Sequence, residues 1–76
     1  MKVERPLDFL NESKGKEILV ELKDRELTGT LLAFDIHINL VLDNMKLLED
    51  GKVKKSLGIG FVRGDTIVVI SPAKSS

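Results

Sequence analysis

The chain has no cysteine, tryptophan or tyrosine, and it has one histidine among its 76 residues. The absence of cysteine excludes a disulfide framework and every zinc site with cysteine ligands. The single histidine, His37, is too few for a histidine-rich metal site within one chain. Only three aromatic residues are present, all of them phenylalanine, which argues against an extended aromatic platform for stacking nucleic-acid bases.

An excess of charge of one sign is also absent, because twelve basic residues are balanced by twelve acidic residues. Any binding of nucleic acid must therefore come from locally placed groups, or from one group repeated around an oligomer. No apolar run approaches membrane-spanning length, and no signal-type apolar stretch follows the charged N-terminus. These features predict a cytoplasmic protein with no membrane partner.

The length of the chain predicts one domain, over residues 1–76, with a small core. Domains of this size are usually stabilised by disulfides, by a metal or by assembly with copies of themselves. Because the composition removes cysteine-based disulfides and metal sites, self-assembly is the leading expectation.

The residue pattern predicts one short helix followed by five strands. Pro6 and Asp8 suit the first turn of a helix over about residues 6–13, and Gly15 suits its end. Gly29 interrupts the second strand and predicts a bend or bulge, which a small barrel needs to curl. The strands are expected at about residues 16–22, 26–36, 38–47, 53–62 and 66–70, with loose tails at 1–4 and 73–76. This mainly β pattern fits a small, partly open antiparallel barrel.

The last predicted strand is apolar without alternation, with the sequence Ile-Val-Val-Ile at residues 67–70. A strand with such a run is usually buried on both faces, and the rest of a short chain has few residues left to bury it. A terminal strand is also a sheet edge, and an apolar edge invites pairing with another chain. Head-to-tail pairing of identical copies closes into a ring. The alternative is a monomer in which the helix covers this strand.

Polar residues gather at the junction of the second and third predicted strands. In an extended chain, Asp35, His37 and Asn39 share one face, while Ile36 and Ile38 anchor the other face. The amide of Asn39 has donors and an acceptor in one plane, which matches the Watson–Crick edge of a base. The ring of His37 is flat and offers a surface on which a base can stack.

The connection before the last strand carries the second polar group, Arg63-Gly64-Asp65. The guanidinium plane of Arg63 offers a stacking surface for the other face of a base. Asp65 suits either of two tasks, orienting Asn39 or holding Arg63, and Gly64 permits a positive φ and leaves its N–H exposed. These three residues, with His37 and Asn39, form the candidate base-binding set.

Each of these residues also has an ordinary structural explanation, since histidine, asparagine and aspartate are common at surfaces and in turns. The same Arg-Gly-Asp letters serve as an adhesion motif in extracellular proteins, which the lack of cysteine and of a signal peptide argues against. No nucleophile–base pair, phosphate-cradling loop or cofactor fingerprint occurs, so no catalytic residue, cofactor, metal or small-molecule substrate is expected. A protein-docking module with incidental RNA binding is the alternative function, and a nuclease is a less favoured third.

Two segments, in order after the predicted helix, resemble the two motifs of the Sm and Sm-like (LSm) family. Residues 29–43, containing Phe-Asp-Ile-His-Ile-Asn-Leu-Val-Leu-Asp, resemble the first motif, and residues 59–72 resemble the second. Arg-Pro-Leu-Asp at residues 5–8 resembles the opening of the helix in archaeal members. The resemblance covers nearly the whole chain.

The resemblance implies a strongly bent five-stranded Sm-like barrel, of the SH3-like or OB-like small-barrel kind. It also implies a homo-oligomeric ring, with seven subunits favoured and six next, in which strand four of one subunit pairs with strand five of the next. Its implied function is to bind single-stranded, uridine-rich RNA for processing, chaperoning or decay. In that reading a uridine base stacks between His37 and Arg63, Asn39 reads the uracil edge, and Asp65 supports Asn39.

The sequence departs from the family pattern at two places. The turn Lys23-Asp24-Arg25 is one residue shorter than in many relatives, which concerns only the shape of that turn. Gly60 stands where many relatives have a β-branched residue. Because glycine weakens a strand, and this strand is expected to form half of the interface, ring stability or size is expected to differ from the usual.

Overall fold

The computed structural model describes residues 2–73, in which one helix is followed by five strands. No helix in this part of the chain is long and apolar enough to cross a membrane. The elements are α1 (Pro6–Ser13), β1 (Glu17–Leu22), β2 (Glu26–Phe34), β3 (Leu40–Glu49), β4 (Lys52–Val62), a 3-10 turn (Gly64–Thr66) and β5 (Ile67–Pro72).

Helix α1 begins and ends where the sequence predicts. Pro6 occupies its first turn, and the Asp8 carboxylate accepts the backbone N–H of Arg5 at 2.9 Å and that of the residue before it at 3.1 Å. These hydrogen bonds hold the pKa of the Asp8 carboxyl below its ordinary value. Gly15 follows the helix with φ of +81°, the left-handed conformation that stops it. Leu10 is buried, so the helix is attached to the core by its apolar side.

The five strands form one antiparallel sheet in the order β4-β3-β2-β1-β5. The register between β2 and β3 shifts around Gly29, because β3 carries an extra residue opposite it. A Cβ at Gly29 would lie 2.9 Å from the Cβ of Leu42, so a side chain would not fit without movement. The predicted irregularity at Gly29 is therefore confirmed, and it lets the sheet curl.

The core lies inside the curled sheet and under the helix. Ile18 and Val20 of β1 and Leu40 and Leu42 of β3 are at most 1% exposed, so the alternate residues of these two strands face the core. The buried apolar cluster consists of Leu10, Ile18, Val20, Leu27, Leu31, Leu40, Leu42, Met45 and Val62.

The junction between β2 and β3 differs from the prediction of two strands that nearly touch. Strand β2 ends at Phe34 and β3 begins at Leu40, each two residues away from the predicted bound, because residues 35–39 form a tight loop. Ile38 has φ of +62°, so the loop is not extended. Ile36 is 76% exposed, and Ile38 alone anchors the loop by packing against the core.

Strands β3 and β5 are longer than predicted. Strand β3 continues to Glu49 because Asp50 and Gly51 both have positive φ, the two-residue turn that joins twisted strands most directly. Strand β5 continues to Pro72, and the N–H of Ala73 donates to the carbonyl of Glu17 at 3.2 Å. Ala73 therefore does not belong to a loose tail. Residue 1 and residues 74–76 of the predicted tails lie outside the described residues.

Strands β4 and β5 are the two edges of the sheet, and within residues 2–73 they do not pair with each other. Val68 and Val69 of β5 are 64% and 45% exposed, so the helix does not cover this strand as the monomer alternative requires. On β4, residues 52–59 are all exposed. The exposed large apolar side chains at the two edges are Val53, Leu57, Ile59, Phe61, Val68 and Val69.

Candidate nucleic-acid interface

The five predicted site residues line one open cleft of about 590 Å³. Strands β3 and β4 are paired with Leu40 opposite Val62, so the residue before β3 lies beside the residue after β4. This register brings the loop over residues 35–39 beside the connection over residues 63–65. The structure thus brings together His37, Asn39, Arg63, Gly64 and Asp65.

A hydrogen bond between Asn39 and Gly64 joins the two halves of the cleft. The backbone N–H of Gly64 donates to Oδ1 of Asn39 at 2.8 Å, although the two residues are 25 positions apart. On its other side, Nδ2 of Asn39 donates to Oδ2 of Asp35 at 3.0 Å. The amide is therefore held at both ends by protein groups.

Asp35 organises the loop that carries His37 and Asn39. Its Oδ1 accepts the backbone N–H of His37 at 2.9 Å and that of Asn39 at 3.1 Å, which closes the loop as an Asx turn. The side-chain hydrogen bond from Asn39, followed by these backbone bonds, holds the pKa of the Asp35 carboxyl below its ordinary value. The sequence pattern places Asp35 beside the site but assigns it no role. The signal it lacked was the capacity of aspartate to bind the N–H two residues onward.

Asp65 holds Arg63, which is one of the two tasks that its position suits. Nη2 of Arg63 donates to Oδ2 of Asp65 at 2.7 Å, and both side chains are exposed. The support for Asn39 that the family resemblance assigned to Asp65 comes instead from Asp35 in this chain. The hydroxyl of Thr66 donates to the carbonyl of Arg63 at 2.7 Å and stabilises the 3-10 turn that follows Arg63.

Gly64 does not use the positive φ that glycine permits, and the prediction that its N–H is exposed is wrong. Gly64 is not among the residues with positive φ, and its N–H is bound to Asn39. Glycine is required for space, because a Cβ there would collide with the carbonyl oxygen of His37 and lie 2.8 Å from the carbonyl carbon of Ile38. Those neighbours are backbone atoms, which cannot rotate aside.

Phe61 lines the same cleft and was not among the predicted residues. Its side chain is 63% exposed at the end of β4. The signal that would have found it is strand periodicity, because residues two apart on a strand project to the same side and Phe61 precedes Arg63 by two.

The cleft thus presents three flat groups around one opening, namely an imidazole, a guanidinium and an amide with fixed orientation. Two stacking surfaces and a hydrogen-bonding edge in one cleft suit a flat, polar ligand such as a nucleobase. Among the described residues no cluster of three or more histidine, cysteine or acidic side chains could hold a metal ion.

Comparison with known proteins identifies the family of the chain independently of the cleft. The family model described as the LSM domain matches residues 8–72. An Sm-like protein of Pyrococcus furiosus is 47% identical over 72 residues, covering 93% of this chain and 95% of the relative. An Sm-like protein of Archaeoglobus fulgidus is 47% identical over 70 residues, covering 91% of each chain.

Solved structures agree with the sequence comparison. The Sm protein of Pyrococcus abyssi in complex with a uridine heptamer superposes with a TM-score of 0.88 at 44% identity, covering 92% of this chain and 100% of that chain. A heptameric archaeal Sm protein superposes with a TM-score of 0.82 at 40% identity, covering 88% of this chain and 98% of that one. With two motifs in order, a curled five-stranded sheet and these relatives, the chain belongs to the LSM-domain family of Sm-like proteins.

Proposed function

We propose that copies of this chain assemble into a closed ring that binds single-stranded, uridine-rich RNA, with one base in the cleft of each subunit. The observation that carries this proposal is the amide of Asn39, held in one orientation by Asp35 and Gly64 in the cleft that His37 and Arg63 also line. The Pyrococcus abyssi relative in complex with a uridine heptamer supports the choice of ligand. The expected cellular role is RNA processing, chaperoning or decay.

Recognition would divide between stacking and hydrogen bonding. His37 and Arg63 would cover the two faces of the base, and stacking contributes about 1–3 kcal/mol per base. Asn39 would meet the uracil edge, and Asp65 would keep the guanidinium of Arg63 in place through their 2.7 Å contact. Clefts connected around a ring act as one multivalent site, so several weak contacts give tight binding without an excess of positive charge. Salt should therefore weaken binding only slightly, because few phosphates are neutralised.

The ring itself is supported by the two free edges of the sheet. Strands β4 and β5 lie at opposite ends of the strand order and carry exposed apolar side chains, so β4 of one copy can pair with β5 of the next. A heptameric relative with 40% identity supports seven subunits, and six is the second choice. Gly60 is the predicted weak point of β4. The space beside it is occupied by Met45 of the same subunit, because a Cβ at Gly60 would collide with Cε of Met45.

The decisive test combines assembly with binding. Native mass spectrometry of the protein, alone and with short oligo-uridine, should give a closed ring and one RNA strand per ring. The variants His37→Ala, Asn39→Ala and Arg63→Ala should weaken oligo-uridine binding and leave the ring intact. The matched control is Arg25→Ala, because Arg25 also pairs with a neighbouring aspartate but lies in the β1–β2 turn. A triple variant that binds oligo-uridine like the unmodified protein would remove the cleft from the proposal.

The same proposal separates this chain from the alternative functions. A scaffold that docks proteins, with incidental RNA binding, predicts equal affinity for oligo-uridine and oligo-cytidine in fluorescence anisotropy. We propose that the chain acts by binding and not by catalysis, so oligo-uridine incubated with the protein and magnesium should stay intact. The cytoplasmic location predicted from the sequence stays a prediction, which cell fractionation would test.

A further inference from the structure

We infer that Asp35 is a specificity-determining residue of the cleft, because it locks the Asn39 amide in the orientation that accepts uracil and rejects cytosine. The inference rests on the proposed function and deepens it. Asp35 is a positioning residue, which acts through Asn39 and does not itself touch the base.

The Asn39 side chain has few hydrogen-bonding groups, and two of them are already occupied by the protein. An amide has two N–H donors on its nitrogen and two lone pairs on its oxygen. One lone pair of Oδ1 is used by the N–H of Gly64, and one N–H of Nδ2 is used by Asp35. What remains for a ligand is one lone pair on the oxygen and one N–H on the nitrogen of the same planar amide.

This remainder matches uracil, which presents a donor at N3–H and an acceptor at O4. Cytosine presents the reverse pair, an acceptor at N3 and a donor at its amino group. To serve cytosine in the same position, the amide of Asn39 would have to exchange its oxygen and nitrogen by a half turn. The half turn would place Nδ2 against the N–H of Gly64 and Oδ1 against the carboxylate of Asp35. Both contacts would then be donor against donor or acceptor against acceptor.

Of the two anchors, Asp35 is the one that a side-chain substitution can alter. Its ionised carboxylate only accepts hydrogen bonds, whereas an asparagine at the same position both accepts and donates. The variant Asp35→Asn therefore removes one of the two obstacles to the half turn, and the Gly64 anchor remains. The ratio of oligo-uridine to oligo-cytidine affinity should fall by about tenfold or more, the usual effect of one lost hydrogen bond to a charged group.

The matched control is Asp65→Asn, the same substitution on an exposed aspartate of the same cleft that binds Arg63 and not Asn39. This control should weaken both oligonucleotides together and leave their ratio unchanged. Asp24→Asn, in the β1–β2 turn, should change neither affinity. A purely structural role of Asp35 would likewise lower both affinities together, so the ratio separates specificity from loss of order.

The measurement is fluorescence anisotropy with labelled oligo-uridine and oligo-cytidine of equal length, on assembled protein. A ratio that falls in Asp35→Asn but not in Asp65→Asn supports the lock. An unchanged ratio in Asp35→Asn, or an equal fall in both variants, overturns the lock while the proposed function stands. Unmodified protein that binds uridine no better than cytidine overturns the proposed function itself, and the lock with it.

A second measurement avoids the variant and covers the case in which Asp35→Asn does not fold. In the NMR spectrum of the unmodified protein, the two Nδ2 protons of Asn39 should exchange with solvent at different rates, because one of them is bonded to Asp35 at 3.0 Å. Equal exchange rates for the two protons would overturn the lock.

Discussion

Replacing Gly64 by alanine is the sharpest test of how the cleft is built. The added Cβ would collide with the carbonyl oxygen of His37 and lie 2.8 Å from the carbonyl carbon and 2.9 Å from the carbonyl oxygen of Ile38. All three neighbours are backbone atoms, so the 3-10 turn and the loop over residues 35–39 must separate. Separation also breaks the 2.8 Å hydrogen bond from the N–H of Gly64 to Asn39.

The magnitude follows from these two effects. Forcing extra atoms into a packed contact costs about 1–3 kcal/mol, and the lost hydrogen bond costs about 0.5–1.5 kcal/mol. We therefore expect Gly64→Ala to lower the free energy of unfolding by about 2–4 kcal/mol. The substitution also removes the fixed orientation of the Asn39 amide. The free energy of oligo-uridine binding should therefore fall by more than the free energy of unfolding.

The assay is urea unfolding at one fixed subunit concentration, since assembly makes apparent stability depend on concentration. The matched control is Gly15→Ala, because Gly15 has φ of +81° and no heavy atom within 4 Å of the built Cβ. That control tests backbone strain without a collision and should cost only about 1 kcal/mol, with oligo-uridine binding retained. If Gly64→Ala unfolds at the same urea concentration as the unmodified protein, the close approach of the two backbones is refuted.

Three further predictions concern pH, the inner face of β4 and a surface ion pair. Because the pKa of Asp35 lies below its ordinary 3.8 in the folded chain, its carboxylate stabilises the fold above about pH 3.8. That stabilisation should disappear as the pH falls through the lowered pKa, and thermal melts of Asp35→Asn should lack this part of the acid dependence. Gly60→Val should displace the flexible end of Met45, so a double-mutant cycle of melting temperatures with Met45→Ala should show that the two substitutions are coupled. Lys54→Met should leave the melting temperature nearly unchanged, because the 2.6 Å pair with Glu49 is exposed; a large drop would contradict this.

The regular parts of the fold were predictable because their signals are local. Alternating apolar residues at 18, 20 and 22 and at 38, 40 and 42 indicate one inward face in each of two strands. Ile18, Val20, Leu40 and Leu42 are buried, whereas Leu22 and Ile38 are partly buried and Ile38 precedes β3. Helix α1 was predictable in the same way, because a proline at the start and a glycine after the end mark its limits within a few residues.

The loop over residues 35–39 was not predictable from the alternation of polar and apolar residues. Alternation suggested an extended chain, but the carboxylate of Asp35 competes for the backbone N–H groups of His37 and Asn39 and folds the segment into a turn. The left-handed conformation of Ile38 is imposed by that turn and is unexpected for a β-branched residue. A side chain that binds local backbone overrides the strand pattern here.

The membership of the cleft was predictable, but the pairing inside it was not. Five residues of the two motifs meet in one cleft, and the assignment of their contacts depended on distances that a sequence does not contain. Asp65 is two residues from Arg63 and binds it, while Asp35 reaches Asn39 across the turn. Gly64 illustrates the same limit. Glycine is required at this position because the backbone of His37 and Ile38 lies close to it, and not because of its own φ.

The bond from Gly64 to Asn39 has a thermodynamic consequence. It spans 25 positions of the chain, so neither segment alone can present the aimed amide, and a peptide copied from one motif would lack it. The proposed reading of a base therefore requires the intact tertiary structure, and we expect it to be lost in the same melting transition. By linkage, an oligonucleotide that occupies the clefts must raise the temperature at which the protein melts, in proportion to the logarithm of its concentration above Kd.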